Sequence, residues 1–205
     1  MDANLRIMGF CGVDDSVSPE LLQLVSDKYP FVEWGVLFRS DLEGSPRYPS
    51  MDWVLRLAAL GRSSGTMRLA GHLCGDRCQQ VLSGDAAFLL HLSTLGFQRV
   101  QINATAAIKV LLDPMDTQLY VANLKRCMQE VPRLEFIVQC NQETEALWKP
   151  LVNDTTVPAN MSILYDASCG TGIRVNSFPA PSLYPHIPCG YAGGIGRQHR
   201  MLVNR

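Results

Sequence analysis

The feature of this 205-residue sequence that most limits its possible folds is a regular alternation of two kinds of segment. Short apolar runs rich in β-forming residues recur about every 30 residues, which is the length of a strand–helix unit. The predicted strands are Leu5–Cys11, Val32–Phe38, Met67–Cys74, Phe97–Asn103, Leu134–Cys140, Met161–Asp166 and Cys189–Ala192. The segments between them carry apolar residues at helical spacing, which predicts βαβ units and a parallel sheet.

Helix starts can be placed in the segments between the predicted strands. Ser18 and Ser50 each precede a run with helical spacing, where a serine hydroxyl caps the first turn. Pro19 then occupies the first helical position, which suits its fixed φ and its missing N–H. Three further helices are predicted over Asp85–Leu95, Asp116–Val131 and Gln142–Leu151.

Two architectures fit this pattern: an open doubly wound sheet and a closed barrel. Polar groups or glycines end almost every predicted strand, at Cys11-Gly12, His72–Gly75, Gln101–Asn103, Gln139–Asn141, Asp166 and Gly193-Gly194. In a barrel all of these strand ends converge on one mouth, whereas an open sheet concentrates them at one switch point. The sequence therefore favours one α/β domain over residues 1–205, of the (β/α)8 TIM-barrel type.

The charge balance excludes some classes of partner. Lys and Arg number 18 and Asp and Glu number 19, so the net charge of −1 lacks the basic footprint of a protein that binds nucleic acid or an anionic membrane. No apolar run has the roughly 20 residues of a transmembrane helix, and the first residues lack the layout of a secretory signal. We expect a cytoplasmic protein with a small-molecule partner, and the oligomeric state stays open.

The seven cysteines are odd in number and irregularly spaced, which indicates reduced thiols rather than a disulfide framework. His72, Cys74 and Cys78 form a faintly metal-like group. A structural zinc site needs four well-spaced ligands, and no second pair follows these residues. The sequence therefore predicts no metal site.

Two ionisable residues stand at strand ends that a barrel places on opposite sides of its mouth. Cys11 closes the first predicted strand, and Asp166 closes the sixth. A thiolate and a carboxylic acid that face each other across a pocket can act as general base and general acid. Each has an alternative role, Cys11 as a small buried apolar residue and Asp166 as a helix cap.

Two glycine-rich turns and one arginine complete the candidate site. The turns are Cys169–Gly172 and Ala192–Gly194, and backbone N–H groups in such turns bind phosphate, although glycine pairs are also common in ordinary loops. Arg47 lies in a loop that contains two prolines. Its planar guanidinium can bind a substrate carboxylate through two hydrogen bonds, and the alternative is a solvated loop arginine.

The order of these motifs resembles that in phosphoribosylanthranilate isomerase, a (β/α)8-barrel enzyme of tryptophan biosynthesis. That family performs an Amadori rearrangement, an intramolecular oxidoreduction, by general acid–base catalysis. The motifs that carry the resemblance are Cys11-Gly12, Ser45-Pro-Arg-Tyr48, Leu164-Tyr-Asp166, Cys169-Gly-Thr-Gly172 and Ala192-Gly-Gly194.

The resemblance implies a role for each matching residue. Cys11 would be the general base that removes the sugar C2 proton, and Asp166 the general acid that protonates the furanose ring oxygen. Arg47 would hold the anthranilate carboxylate. The residues implied for the substrate phosphate are Gly170, Gly172, Gly193 and Gly194. No cofactor or metal is implied.

The sequence also departs from the family pattern. Gln101-Ile-Asn-Ala104 stands where the family has a Gln-Leu-His-Gly type sequence, and Cys169 replaces the first glycine of Gly-Gly-Thr-Gly. Residues 195–205 are too few for a further helix, an eighth strand and its helix, so we expect about seven strands and a C-terminally truncated barrel. A non-catalytic barrel, or one with an altered substrate, that binds a phosphorylated metabolite is the alternative function.

Overall fold

Seven parallel strands form one sheet in which the spatial order follows the chain order. The computed structural model describes residues 6–174, 177–180 and 183–195. The strands are β1 (Met8–Cys11), β2 (Val32–Phe38), β3 (Arg68–Leu73), β4 (Arg99–Ile102), β5 (Glu135–Cys140), β6 (Met161–Tyr165) and β7 (Cys189–Tyr191). The sheet curls into a half-barrel, which confirms a TIM-barrel-like α/β fold with seven of its strands within the described residues. Within the described residues no ladder joins β1 to β7.

Helices alternate with these strands and cover the convex face of the sheet. They are α1 (Pro19–Lys28), α2 (Met51–Ser64), α3 (Gly75–Leu82), α4 (Ala87–Leu95), α5 (Thr117–Glu130) and α6 (Glu145–Val152). Ser18 and Ser50 cap α1 and α2 through their hydroxyls, as predicted. None of the helices in the described part of the chain is long and apolar enough to cross a membrane.

The strands match the predicted positions, and most differ by one to three residues at their ends. β2 has the predicted bounds, whereas β1 starts at Met8 rather than Leu5, which lies outside the described residues. α3 was not predicted, because it has only eight residues, begins with glycine and lacks a side-chain cap at Cys74. Residues 196–205, on which the expected truncation depends, also lie outside the described part.

The apolar core lies between the sheet and the helices, because alternate strand residues point to opposite faces. Every second residue of the central strands joins this core. Its members include Val36, Phe38, Leu57, Leu69, Leu89, Val100, Leu124, Phe136, Leu151 and Ile163. Full burial of one such side chain contributes about 1.5 to 3 kcal/mol, so this layer supplies most of the stability of the fold.

The concave face is polar by contrast. Arg99 of β4 forms ion pairs with Glu33 of β2, at 3.0 Å, and with Glu135 of β5, at 2.9 Å. β2 and β4 are not neighbours, so this cluster crosses β3 over the small side chain of Ala70, which pairs with Arg99 in the ladder. Burial raises the pKa of Glu33, and the charge of Arg99 opposes that rise. The ion pairs therefore bridge three strands at the amino end of the half-barrel.

Candidate active site at the carboxyl end of the sheet

Cys11 is the last residue of β1 and lies at the open edge of the sheet. Its Sγ lies 3.2 Å from Nδ1 of His72 and 4.0 Å from Nη2 of Arg47. Gly12 follows with a φ of 87°, a left-handed conformation that turns the chain out of the strand. The structure thus brings two predicted site residues, Cys11 and Arg47, together with His72, whose strand end was expected at the same mouth without a role in the site.

Arg47 is held beside Cys11 by the loop that follows β1. The Arg47 backbone N–H donates to Oδ2 of Asp14 at 2.5 Å, and Arg47 itself has a left-handed φ of 71°. The guanidinium lies over Gly12, where an added Cβ would come within 2.8 Å of Nε. Hydrogen bonds from Ser16 and from the Arg47 N–H lower the pKa of Asp14. Gly12 and Asp14 therefore position the guanidinium.

A second carboxylate fastens the same loop. Asp15 accepts hydrogen bonds from the backbone N–H of Ser50, at 2.8 Å, and from its hydroxyl, at 2.5 Å. Ser50 is the cap of α2, so Asp15 ties the start of that helix to the loop after β1. Sequence reasoning missed both aspartates as positioning residues. The available signal was the adjacent acidic pair two residues after Gly12, which carries no information about its distant partners.

His72 reaches Cys11 across the intervening strand. β2 lies between β1 and β3, and its residue at the crossing point is Gly35. A Cβ on Gly35 would lie 2.8 Å from both Cε1 and Nε2 of His72, so only glycine leaves room for the imidazole ring. Burial, together with the positive charges of Arg99 and Arg47, lowers the pKa of His72 to about 4. The imidazole is therefore neutral at physiological pH, with one donor and one acceptor nitrogen.

The ionisation of Cys11 is set by opposing contributions. The residue is exposed because β1 is an edge strand, but its Sγ lies among side chains from β3 and from the loop after β2. Burial of the sulfur raises the pKa of the Cys11 thiol, and the Arg47 guanidinium opposes this rise through its charge and its hydrogen bond. The net direction is upward, so the thiol form predominates at neutral pH.

Asp166 follows β6 and is 5% exposed. One carboxyl oxygen, Oδ2, accepts from Nε2 of Gln139 at 2.8 Å and from the N–H of Gly170 at 3.0 Å. The other, Oδ1, accepts from the N–H of Ser168 at 3.1 Å and from its hydroxyl at 2.5 Å. Residues 167–174, which follow directly, contain no helix, so Asp166 organises a loop rather than caps a helix.

The two glycine turns lie next to each other. Gly170 and Gly172 have φ values of 82° and 70°, and Gly193 and Gly194 have values of 100° and 62°. A Cβ on Gly194 would lie 2.7 Å from the backbone N of Arg174 and 2.9 Å from the carbonyl oxygen of Gly172. The Gly170 and Gly172 N–H groups donate within their own turn, to Asp166 and to the Ser168 hydroxyl.

Further polar groups lie at the carboxyl ends of β3, β4 and β5. Gln101 donates to Asn103 at 2.5 Å, and Asn103 donates to the Cys74 sulfur at 3.5 Å. Gln139 Oε1 and Thr105 Oγ1 are buried and have no hydrogen-bond partner among the described residues. A buried polar atom without a partner costs about 1 to 3 kcal/mol, so these two atoms reduce the stability of this end of the sheet.

The site therefore has two parts. Cys11, Arg47 and His72 form one part at the β1 side, and Asp166 with the glycine turns forms the other at the β6 and β7 side. The hydrogen bonds of Cys11 and of Asp166 share no residue. Within the described ranges no three His, Cys, Asp or Glu side chains are grouped as metal ligands would be.

Comparison with known proteins adds no assignment to this geometry. No protein-family model matches the chain, and no curated protein matches it either.

Proposed function

We propose that this protein is an isomerase of the phosphoribosylanthranilate type and acts in amino-acid biosynthesis, in the formation of tryptophan. The observation that carries the proposal is the pairing of Cys11 with Arg47 at the end of β1, with Asp166 at the end of β6 of the same curled sheet. In TIM-barrel enzymes, catalytic residues come from the carboxyl ends of several different strands. The resemblance in motif order supports the same assignment.

The acid step belongs to Asp166. A protonated Asp166 gives its proton to the furanose ring oxygen, the C1–O bond breaks, and the nitrogen lone pair forms a protonated C=N bond. An ionised carboxylate has about four acceptor positions, and the four donors around Asp166 use all of them. One of these hydrogen bonds must therefore open when the acid proton is in place.

The base step belongs to Cys11. Its sulfur removes the proton from C2, and the C–H electron pair forms a C=C bond as the protonated C=N becomes a neutral enamine. The enol that results then becomes the ketone. Arg47, 4.0 Å from the sulfur, binds the carboxylate of the substrate and so holds C2 near the base.

Phosphate binding falls to the paired glycine turns. The Gly170 and Gly172 N–H groups already donate within the turn, so these two residues contribute close backbone approach rather than free donors. Gly193 and Gly194 then supply the amides that contact phosphate oxygens. Their left-handed φ values are what such a backbone cradle requires.

A second candidate function is a barrel, non-catalytic or with another substrate, that binds a phosphorylated metabolite. Two observations favour it. Burial raises the pKa of the Cys11 thiol, which lowers the fraction of thiolate that can act as a base at neutral pH. The Asp166 carboxylate is fully used as a hydrogen-bond acceptor, which suits a structural role in the loop.

A turnover assay separates the two candidates. Freshly prepared phosphoribosylanthranilate is mixed with the folded protein, and the decay of substrate fluorescence is followed. We expect decay with the wild type and with Cys127→Ala, a matched loss of a cysteine in α5. We expect no decay with Cys11→Ala. If the folded wild type gives no decay, the isomerase assignment is wrong, and ribose 5-phosphate binding by calorimetry then tests the second candidate.

A further inference from the structure

We propose that Cys11 and His72 form a thiol–imidazole pair, in which the neutral His72 ring accepts a hydrogen bond from the Cys11 thiol and donates one to the Cys11 thiolate. The Sγ–Nδ1 distance of 3.2 Å is short for a hydrogen bond to sulfur. His72 does not belong to the residues that the motif order assigns, so this is an additional positioning residue for Cys11. The part of the proposal that concerns substrate rests on the proposed isomerase function, and the pairing itself does not.

The contact joins two residues whose strands are not neighbours in the sheet. Cys11 and His72 belong to strands that are separated by β2, and the imidazole crosses β2 at Gly35. Any side chain larger than glycine at position 35 would meet Cε1 and Nε2 of His72 at 2.8 Å and would displace the ring. Gly35 is thus the opening in β2 that allows the pair to form.

Several charged and titratable groups face the pair. They come from the loop after β2, from the end of β3 and from β4, with their own partners on β2 and β5. The groups are Arg47, Cys74 and Arg99, together with Glu33 and Glu135, which form ion pairs with Arg99. Burial and the positive charges of Arg99 and Arg47 disfavour an imidazolium, so the resting pair is a neutral thiol that donates to a neutral imidazole.

The base step starts from the minor thiolate form of this pair. The C2–H bond of the substrate breaks, its proton forms an S–H bond at Cys11, and the C–H electron pair forms the C=C bond as the protonated C=N bond becomes neutral. When the enol becomes a ketone, C1 takes the proton of the Cys11 S–H group, and the enol O–H proton passes to the Asp166 carboxylate. The Cys11 thiolate and the protonated Asp166 are thus restored, and His72 stays neutral throughout.

The pair also changes the equilibrium ionisation of Cys11, and this can be measured without any substrate. A neutral imidazole can turn its N–H toward a thiolate, and hydrogen bonds to charged groups are stronger than those to a thiol. Loss of His72 therefore removes more stabilisation from the thiolate than from the thiol. The midpoint of Cys11 ionisation should rise by about one pH unit, which lowers the thiolate fraction at pH 7 about tenfold.

The test is site-specific alkylation. The full chain reacts with iodoacetamide between pH 5 and pH 11, and peptide mass spectrometry follows the modification of Cys11 alone. His72→Phe removes the hydrogen-bonding nitrogens and keeps a ring, and we expect its midpoint to shift upward by about one unit with about tenfold slower reaction at pH 7. His72→Gln keeps an N–H donor, and we expect a midpoint closer to that of the wild type.

Two further variants keep the test decisive. Gly35→Ala leaves both members of the pair in place but displaces the ring, so it should shift the Cys11 midpoint in the same direction as His72→Phe. His91→Phe is the matched control, because His91 is an exposed histidine on α4 beside Phe88. It should leave the midpoint unchanged. Thermal unfolding followed by circular dichroism shows which variants are folded.

The outcomes are distinct from those of the turnover assay. Equal Cys11 midpoints in the wild type, His72→Phe and Gly35→Ala would overturn the pair, because a histidine that only fills space changes access to the sulfur and not its ionisation. Shifted midpoints in a protein that does not convert phosphoribosylanthranilate would support the pair and reject the isomerase assignment. Turnover by the wild type together with unshifted Cys11 midpoints in the variants would support the isomerase assignment and overturn the pair.

Discussion

At Cys11 the chemistry is decided by neighbours from β3 and from the loop after β2. Burial of the sulfur favours the thiol, Arg47 favours the thiolate, and Nδ1 of His72 lies at hydrogen-bond distance from the sulfur. None of these effects is available to a cysteine on an isolated edge strand. The reactivity of Cys11 therefore depends on the curvature that brings β3 and the loop after β2 over the end of β1.

The pH dependence of stability should carry a signature of His72. Its pKa is about 4 in the folded state and about 6.5 in an unfolded chain, so between these values the unfolded state binds more protons. The contribution is absent above pH 6.5, and it destabilises the folded protein increasingly as the pH falls to 4. The total is about 3 kcal/mol as an upper value.

This contribution is isolated by a comparison with His72→Phe. The free energy of unfolding is measured by urea denaturation between pH 4 and pH 8 for both proteins. We expect the wild type to lose stability relative to the variant as the pH falls through this window. A difference that stays constant with pH would mean that His72 titrates normally in the folded protein.

At the scale of elements, the loop after β6 depends on a single carboxylate. Asp166 accepts hydrogen bonds from Gln139 of β5 and from donors in its own loop, one of which is the Gly170 N–H. Gly172 is held in the same loop through the Ser168 hydroxyl, which itself donates to Asp166. The geometry of one glycine turn is thus linked to the acid candidate.

Asp166→Asn should destabilise the protein by about 2 to 3 kcal/mol. The NH2 group of the asparagine would face at least one buried donor that faces a carboxylate oxygen in the wild type, so that donor would lose its acceptor. Chemical denaturation measures this loss. The matched control is Asp52→Asn, an exposed carboxylate in the first turn of α2. If both variants have the stability of the wild type, Asp166 does not organise the loop.

Local signals explain which elements could be predicted from the sequence. The apolar strands and the serine caps of α1 and α2 depend on neighbouring residues, so their positions follow from the sequence within a few residues. α3 lacks such signals. The contact of His72 with Cys11 depends on a glycine in the strand between them, and the support of Arg47 depends on Asp14, which is 33 residues away. Contacts of this kind can be predicted only when the register of the sheet is known.

The whole molecule is a half-barrel whose polar inner face runs from an ion-pair cluster to the candidate site. Arg99, Glu33 and Glu135 tie three strands together at the amino end. At the open edge Met8 and Phe10 of β1 are 42% and 49% exposed, on the strand that carries Cys11. Because all seven strands of this TIM-barrel-like fold are parallel, their polar carboxyl ends lie on one rim. The chemistry at that rim is a proposal.

The most direct test of that proposal is the steady-state kinetics of Cys11→Ser with phosphoribosylanthranilate. Serine has approximately the volume of cysteine, but its hydroxyl is a far weaker acid than a thiol. The hydroxyl therefore stays protonated at neutral pH and cannot accept the C2 proton. We expect kcat to fall about 100-fold or more, the usual contribution of a general base, while KM stays close to that of the wild type. A kcat equal to that of the wild type would contradict the assignment of Cys11 as the group that removes the C2 proton.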